Sequence, residues 1–163
     1  LLLSLNVISD FDICKNTLNA CMELLVPGAI RSLADRPTAF PFEIRHHGTL
    51  LKDPHYPYSG RYTGDEDTQR KPAYHNGTAW TWQFPMFCEA WAETFQGNAF
   101  ETALAWLGSS VKLMEKGAVG FIPEILDGDF PHTPRGCDAQ AWGSSELARV
   151  ICKLEPNRTA RFH

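Results

Sequence analysis

Long apolar runs are missing from this sequence: nothing in its 163 residues approaches the roughly 20 needed to span a bilayer as a helix. An excess of one charge is missing too. Lys and Arg number 15 against 19 Asp and Glu, a net charge of −4, so neither nucleic acid nor an anionic membrane surface is an expected partner. The five cysteines, Cys14, Cys21, Cys88, Cys137 and Cys152, are odd in number and lack paired metal-ligand spacing. A disulfide framework and a zinc-finger pattern are thereby excluded, and a reducing, cytoplasmic setting with mostly buried thiols is expected. The glycines never reach a phosphate-cradling spacing. Cys137 has no basic neighbour beyond Arg135, and Ser144-Ser145 falls inside a helical pattern, so a Ser or Cys nucleophile is disfavoured. His46, His47 and His55 have no carboxylate or cysteine at a ligand spacing, and adjacent histidines usually point their rings apart. No metal or cofactor is expected. The Asn76 and Asn157 sequons matter only in a secreted protein.

What is present organises into helices separated by irregular stretches. Asp12 is a plausible cap for a helix over 13–26, where Cys14, Leu18, Cys21 and Leu25 recur at helical spacing before Pro27-Gly28. Residues 29–33 suit a short extended piece or turn. From 34 to 73 periodicity dissolves among Pro37, Pro41, Pro54, Pro57 and Pro72, an unusual length for a loop without a task. Thr78 or Asn76 can cap the next helix, whose apolar face is Phe84, Phe87, Cys88, Trp91 and Phe95. Another covers 99–116 with Gly117 at its end, and a last one covers 138–154, capped by Asp138 and closed by Pro156. No useful β-alternation and no repeat appears, so the expected class is all-α, helical hairpins with long loops at one end. Residues 155–163 read as a frayed tail.

The stretch from Phe121 to Trp142, FIPEILDGDFPHTPRGCDAQAW, stands apart. Three prolines and two glycines keep it out of regular structure. It carries Glu124, Asp127 and Asp129 within six residues, with His132, Arg135 and Gln140 following. A solvated turn would not also hold Phe121, Ile122, Ile125, Leu126 and Phe130, which need burial. Rigid, irregular loops between helices are where scaffolds place chemistry. Carboxylates near Trp80, Trp82 and Trp142 suit a carbohydrate site, where indoles stack on sugar faces and two carboxyl groups take different roles in glycoside hydrolysis. Each tryptophan taken singly is more often core than platform.

YHNGTAWTW, followed by IPEILDGDFPHTPRGCDAQAW, resembles the carboxy-terminal part of the amylo-α-1,6-glucosidase domain of glycogen debranching enzymes. The IRSLA segment and the YSGRYTGD loop resemble it as well, in the same order, so the likeness spans nearly the whole chain. It implies a partial (α/α)6 toroid of six-hairpin barrel type. It also implies an inverting hydrolase of α-1,6-linked glucose stubs on glycogen or limit dextrin, working without a cofactor. By resemblance Glu124 is the general base, His75 and Trp80 line the glucose subsite, and Asp127, Arg135 and Gln140 shape the site or touch sugar. Leu126, Thr81 and Gly143 depart from the usual phenylalanine, proline and serine. The general acid of such enzymes lies far upstream, and the opening Leu-Leu-Leu-Ser-Leu has no initiator Met. Residues 1–163 are therefore expected to be a fragment that needs the upstream part of the same polypeptide and is inactive alone. Without the preceding hairpins, Leu18, Leu25, Leu147 and Ile151 are expected to lie open. The alternatives are another α/α-toroid glycosidase, glucoamylase- or trehalase-like, or a noncatalytic glucan-binding module.

Overall fold

The computed structural model describes residues 1–159, with side chains through Glu155. Helix α1 (Phe11–Cys21) is capped by Asp10, whose carboxylate accepts from the Ile13 amide at 2.9 Å, two residues before the Asp12 expected in that role. Asp10 has the extended backbone a capping residue needs, while Asp12 already lies within the first turn. The helix buries Cys14 and Leu18, then tightens into a 3-10 turn (Met22–Leu24) instead of running on to residue 26. The long irregular stretch contains a wide π-turn (Glu66–Arg70) and the short helix α2 (Lys71–His75). Helix α3 (Gln83–Phe95) begins later than Asn76 or Thr78 could cap it, because the residues between them are extended. Pro85 falls in its first turn, where the missing amide costs least.

Helix α4 (Ala99–Leu113) follows, ending in turns before Gly117. Helix α5 (Ala141–Thr159) starts after Asp138 and continues through Pro156, which was expected to close it. A proline removes one amide donor and adds a local clash without necessarily terminating a helix. Residues 160–163 of the expected tail lie outside the described residues.

Helix α3 is the hub, with α1, α4 and α5 packed on it. Phe84, Phe87, Leu107, Leu147, Val150 and Leu154 interlock there, and Leu18 joins them from α1. Leu18 (2 % exposed) and Leu147 (3 %) are therefore buried, contrary to expectation. Exposed apolar side chains include Leu1, Leu2, Leu5, Val7, Phe11 and Ile13 at the start of the chain, and Phe40, Val119 and Phe130 in loops. One acid lies inside the bundle. Glu89 of α3 is wholly buried and receives Arg149 through two nitrogens, at 2.9 and 2.7 Å, and Lys153 at 2.7 Å. Burial pushes the Glu89 carboxyl upward, but hydrogen bonds from Arg149 and Lys153 outweigh it and hold the group below its ordinary value.

The chain is not all-α. Strands β1 (Leu25–Val26), β2 (Ala29–Arg31), β5 (Ala79–Trp80), β6 (Ile125–Leu126) and β7 (Pro134–Arg135) form an antiparallel sheet in that order. A separate hairpin pairs β3 (Arg45–His46) with β4 (Thr49–Leu50). Strands of two or three residues are too short to display alternation, so the sequence could not reveal a sheet assembled from three distant stretches. That sheet fixes the site: β5 carries Trp80, and β6 and β7 flank the loop around Asp127.

Candidate functional site

Glu124 sits immediately before β6, where Trp80 pairs with Ile125 and Ile125 with Arg135. Its backbone is held on both sides. The Glu124 amide donates to the Cys137 carbonyl at 2.8 Å. The Glu124 carbonyl accepts from the Thr81 hydroxyl at 3.1 Å, and the same hydroxyl reaches the Pro123 carbonyl at 2.6 Å. Thr81, where the family resemblance has proline, thus ties the carboxylate's backbone to the end of β5.

The Glu124 carboxylate is equally constrained. Oε1 accepts from the Tyr74 hydroxyl at 2.6 Å, and Oε2 accepts from the Cys137 amide at 3.0 Å. Gly136 makes the second contact possible. Its φ is +72°, and a Cβ there would come within 2.5 Å of Oε2. Tyr74 stands at the end of α2, its ring against Trp80 at 4.7 Å and Tyr62 at 5.5 Å. Burial, together with the hydrogen bond to Glu124, pushes the Tyr74 hydroxyl up to about 12. It therefore remains a proton donor across the range in which a carboxylate works.

Asp127 has a different character. It is 3 % exposed, and its carboxylate accepts from the Tyr62 amide at 2.8 Å and from Arg135 Nη2 at 3.1 Å. Asp127 and Arg135 thus form a pair that locks the loop to the 60–63 segment, with its charge already satisfied. Asp129 accepts from the Tyr58 hydroxyl at 3.0 Å and faces Arg61 at 3.4 Å. Burial, then the bond to Asp129, raises the Tyr58 hydroxyl strongly. The loop also closes on the 76–78 turn. A Cβ on Gly128 would collide with the Gly77 carbonyl, so glycine is required there for steric reasons alone.

His75 is exposed and stacks on Trp80, with ring centres 5.9 Å apart and planes 18° from parallel. Trp80 itself is 9 % exposed and packs edge-on against Trp142. Trp142 stacks on Trp82 at 5.0 Å and is 42 % exposed. These four rings share the wall of an 880 Å³ cleft that also includes Arg31 and Ser32; Glu124 is not part of that wall. Gln140 is half-buried just ahead of α5, and among the described residues no hydrogen bond ties its side chain to Glu124 or Asp127.

The structure thus joins Glu124, His75 and Trp80 through Tyr74, and pairs Asp127 with Arg135, while Gln140 stands aside. Sequence reasoning missed Tyr74, which adjoins His75 in the YHNGT turn, and missed Tyr58 and Tyr62 as partners of the loop carboxylates. The sequence shows hydroxyl-bearing aromatics in and just after the stretch that lacks periodicity, but not which carboxylate each hydroxyl will reach. The histidines at 46 and 47 have rings 4.2 Å apart, closer than an adjacent pair was expected to be, since His47 adopts a positive φ of 45° in the β3–β4 turn. Among the described residues no group of three or more His, Cys, Asp or Glu converges as a metal site would. Cys14 and Cys88 are buried, but Cys137 and Cys152 are exposed, so the thiols are less buried than expected.

A half-exposed, oriented carboxylate beside aromatic rings is the equipment of a protein that handles sugars. The family model described as amylo-alpha-1,6-glucosidase matches residues 43–149, and the chain belongs to that family. Comparison with curated proteins and with solved structures found no match. The matched span runs from the β3–β4 hairpin into α5 and includes Tyr74, Glu124, Asp127 and Arg135. It makes this a glycosidase-type domain of the glycogen-debranching kind.

Proposed function

We propose that the chain is the base-bearing, carboxy-terminal part of an inverting glucosidase that removes α-1,6-linked glucose from branch points of glycogen or a related α-glucan. The observation that carries this reading is the Glu124 carboxylate, half-exposed and held by Tyr74 and Cys137. An ionised carboxylate accepts about four hydrogen bonds. Two are occupied by the protein, which leaves capacity for a water molecule. Glu124 takes a proton from that water as its oxygen attacks the anomeric carbon, and an acid elsewhere protonates the departing glycosidic oxygen.

That acid is not Asp127 or Asp129. The first is neutralised by Arg135 inside the loop, the second is engaged by Tyr58 and Arg61, and both belong to the same loop as the base. Inversion calls for carboxyl groups ~6.5–9.5 Å apart on opposite faces of the bond. As the resemblance to the family implies, the acid would come from an upstream part of the same polypeptide. The α3–α4 pair is one helical hairpin of an (α/α)6 toroid in this reading, with α5 beginning another. His75 and Trp142 offer open ring faces to glucose, while Trp80 supports them from behind His75. Free thiols at all five cysteines accord with a cytoplasmic setting.

The test is the anomeric form of the first glucose released from a branched limit dextrin by the polypeptide that carries this chain. Proton NMR should show β-glucose before mutarotation. Release of α-glucose means retention and overturns the assignment of Glu124 as base; no glucose at all overturns the glucosidase reading.

A further inference from the structure

Trp80 and Trp82 both wall the 880 Å³ cleft, whereas Thr81 between them does not and is only 2 % exposed. It meets the backbone of Glu124 instead. The Thr81 hydroxyl lies 2.6 Å from the Pro123 carbonyl and 3.1 Å from the Glu124 carbonyl, and its amide donates to the Glu124 carbonyl at 3.4 Å. Those two carbonyls belong to the peptide planes on either side of the Glu124 Cα, so one residue grips both. With its flanking planes fixed, a residue has no free φ or ψ, and the direction in which its side chain leaves the backbone is set. The Thr81 carbonyl in turn accepts from the Phe84 amide at 3.3 Å, in the first turn of α3. The ring wall, the start of α3 and the backbone of Glu124 therefore meet at this one residue.

The joint is closed to water. Thr81 and Pro123 are both buried, a hydroxyl has one proton to give, and a buried carbonyl deprived of its donor is left unsatisfied. Helix α5 covers the same spot: a Cβ on Gly143 would lie 3.4 Å from Thr81 Oγ1. Proline, which the family resemblance has at position 81, would offer neither the amide nor the hydroxyl, so this brace is particular to the present chain.

We infer that Thr81 is a positioning residue for the base, holding the Glu124 backbone in register with the tryptophans on either side of it in the chain. The inference rests on the glucosidase reading for what Glu124 does, and on the bonds of Thr81 for the brace. Glu124 is not part of the cleft wall, so its distance from the rings has to be fixed through the backbone, and Thr81 fixes it. A misplacement of about 1 Å can cost a large factor in rate, so a slack base shows in turnover before it shows in binding.

The experiment uses Thr81→Val, which keeps the shape and removes the hydroxyl, in the polypeptide that carries this chain. Hydrogen exchange read by mass spectrometry should quicken about tenfold in the peptide that covers Glu124, with α4 unchanged. Glucose release from limit dextrin should fall about tenfold in kcat, with KM within about twofold of the parent, since the rings are untouched. Thr81→Ser keeps the hydroxyl and should stay near the parent in both measurements. Thr81→Ala covers the case in which the valine variant fails to fold: it removes the same hydroxyl but leaves room for a water on the Pro123 carbonyl, and should give the same split. Parent-like exchange and kcat in a folded variant without the hydroxyl overturn the proposal. A loss in Thr81→Ser as large as that of the hydroxyl-free variant overturns it as well, and so does a raised KM with kcat unchanged, which would assign Thr81 to the ring wall. Failure of the glucosidase reading shows separately, as quickened exchange at Glu124 in Thr81→Val when the parent itself releases no glucose.

Discussion

At the scale of single residues, the account depends on what each carboxylate touches. Glu124 keeps acceptor capacity toward solvent, whereas Asp127 is spent on Arg135 and the Tyr62 amide. Tyr74 is the neighbour that separates a merely exposed glutamate from a positioned one, since it donates to Oε1 at 2.6 Å and stays protonated up to about 12. Tyr74→Phe removes that hydrogen bond while keeping the ring against Trp80. Glucose release from limit dextrin should therefore slow, by about tenfold for the loss of one charge-assisted bond that orients the base. Unchanged kcat would show that Tyr74 serves packing alone. The sequence made Glu124 legible because a carboxylate-rich, proline- and glycine-broken loop with buried apolar residues has few structural excuses. Tyr74 was not legible. A tyrosine in an aperiodic loop gives no sign of where its hydroxyl will reach.

At the scale of elements, one contact holds the site loop and another ties the bundle, and they fail in different ways. Gly128 presses on the Gly77 carbonyl, so the loop and the 76–78 turn touch backbone to backbone. Gly128→Ala should force them apart, costing ~1–3 kcal/mol in stability and lowering turnover more than an equally destabilising core change would. Thermal melting beside glucose release measures both. Glu89 joins α3 to α5 through Arg149 and Lys153. Because its carboxyl is held below the ordinary value, its contribution is complete above about pH 4.3 and is lost as pH falls through the lower folded value. Glu89→Gln should cost about 2–3 kcal/mol at neutral pH, less than the ~3–5 of a fully buried pair, since Arg149 and Lys153 are partly exposed. The variant should also lose the part of the acid-side fall in melting temperature that Glu89 contributes in the parent. Helices α3 and α4 were readable from their apolar stripes. The sheet was not, because Trp80, Ile125 and Arg135 share registers only after the loops fold.

At the scale of the molecule, the proposed function calls for a domain completed from elsewhere. The bundle around α3 closes on itself well enough to bury Leu18 and Leu147, which sequence patterning could not foresee, because a stripe shows that a face is apolar and not which neighbour will cover it. The segment from Leu1 to Ile13 leaves Leu1, Leu5 and Val7 each more than 60 % exposed. Several exposed apolar side chains in one short segment favour association. Residues 1–163 expressed alone should therefore associate in solution and release no glucose from limit dextrin, whereas the longer polypeptide should do so as a defined species. A monodisperse, active 163-residue monomer would contradict this.

The central claim is that Glu124 is the base, and one substitution tests it most directly. Glu124→Gln keeps the shape, its oxygen accepting from the Cys137 amide and its NH2 donating to the Tyr74 hydroxyl oxygen, but it cannot take a proton from water. Glucose release from a branched limit dextrin, measured with the polypeptide that carries this chain, should fall by at least ~10²-fold, the usual scale for removing a general base. Binding of the limit dextrin by the same variant should persist. Glucose released at a near-parental rate by a folded Glu124→Gln protein would contradict the account.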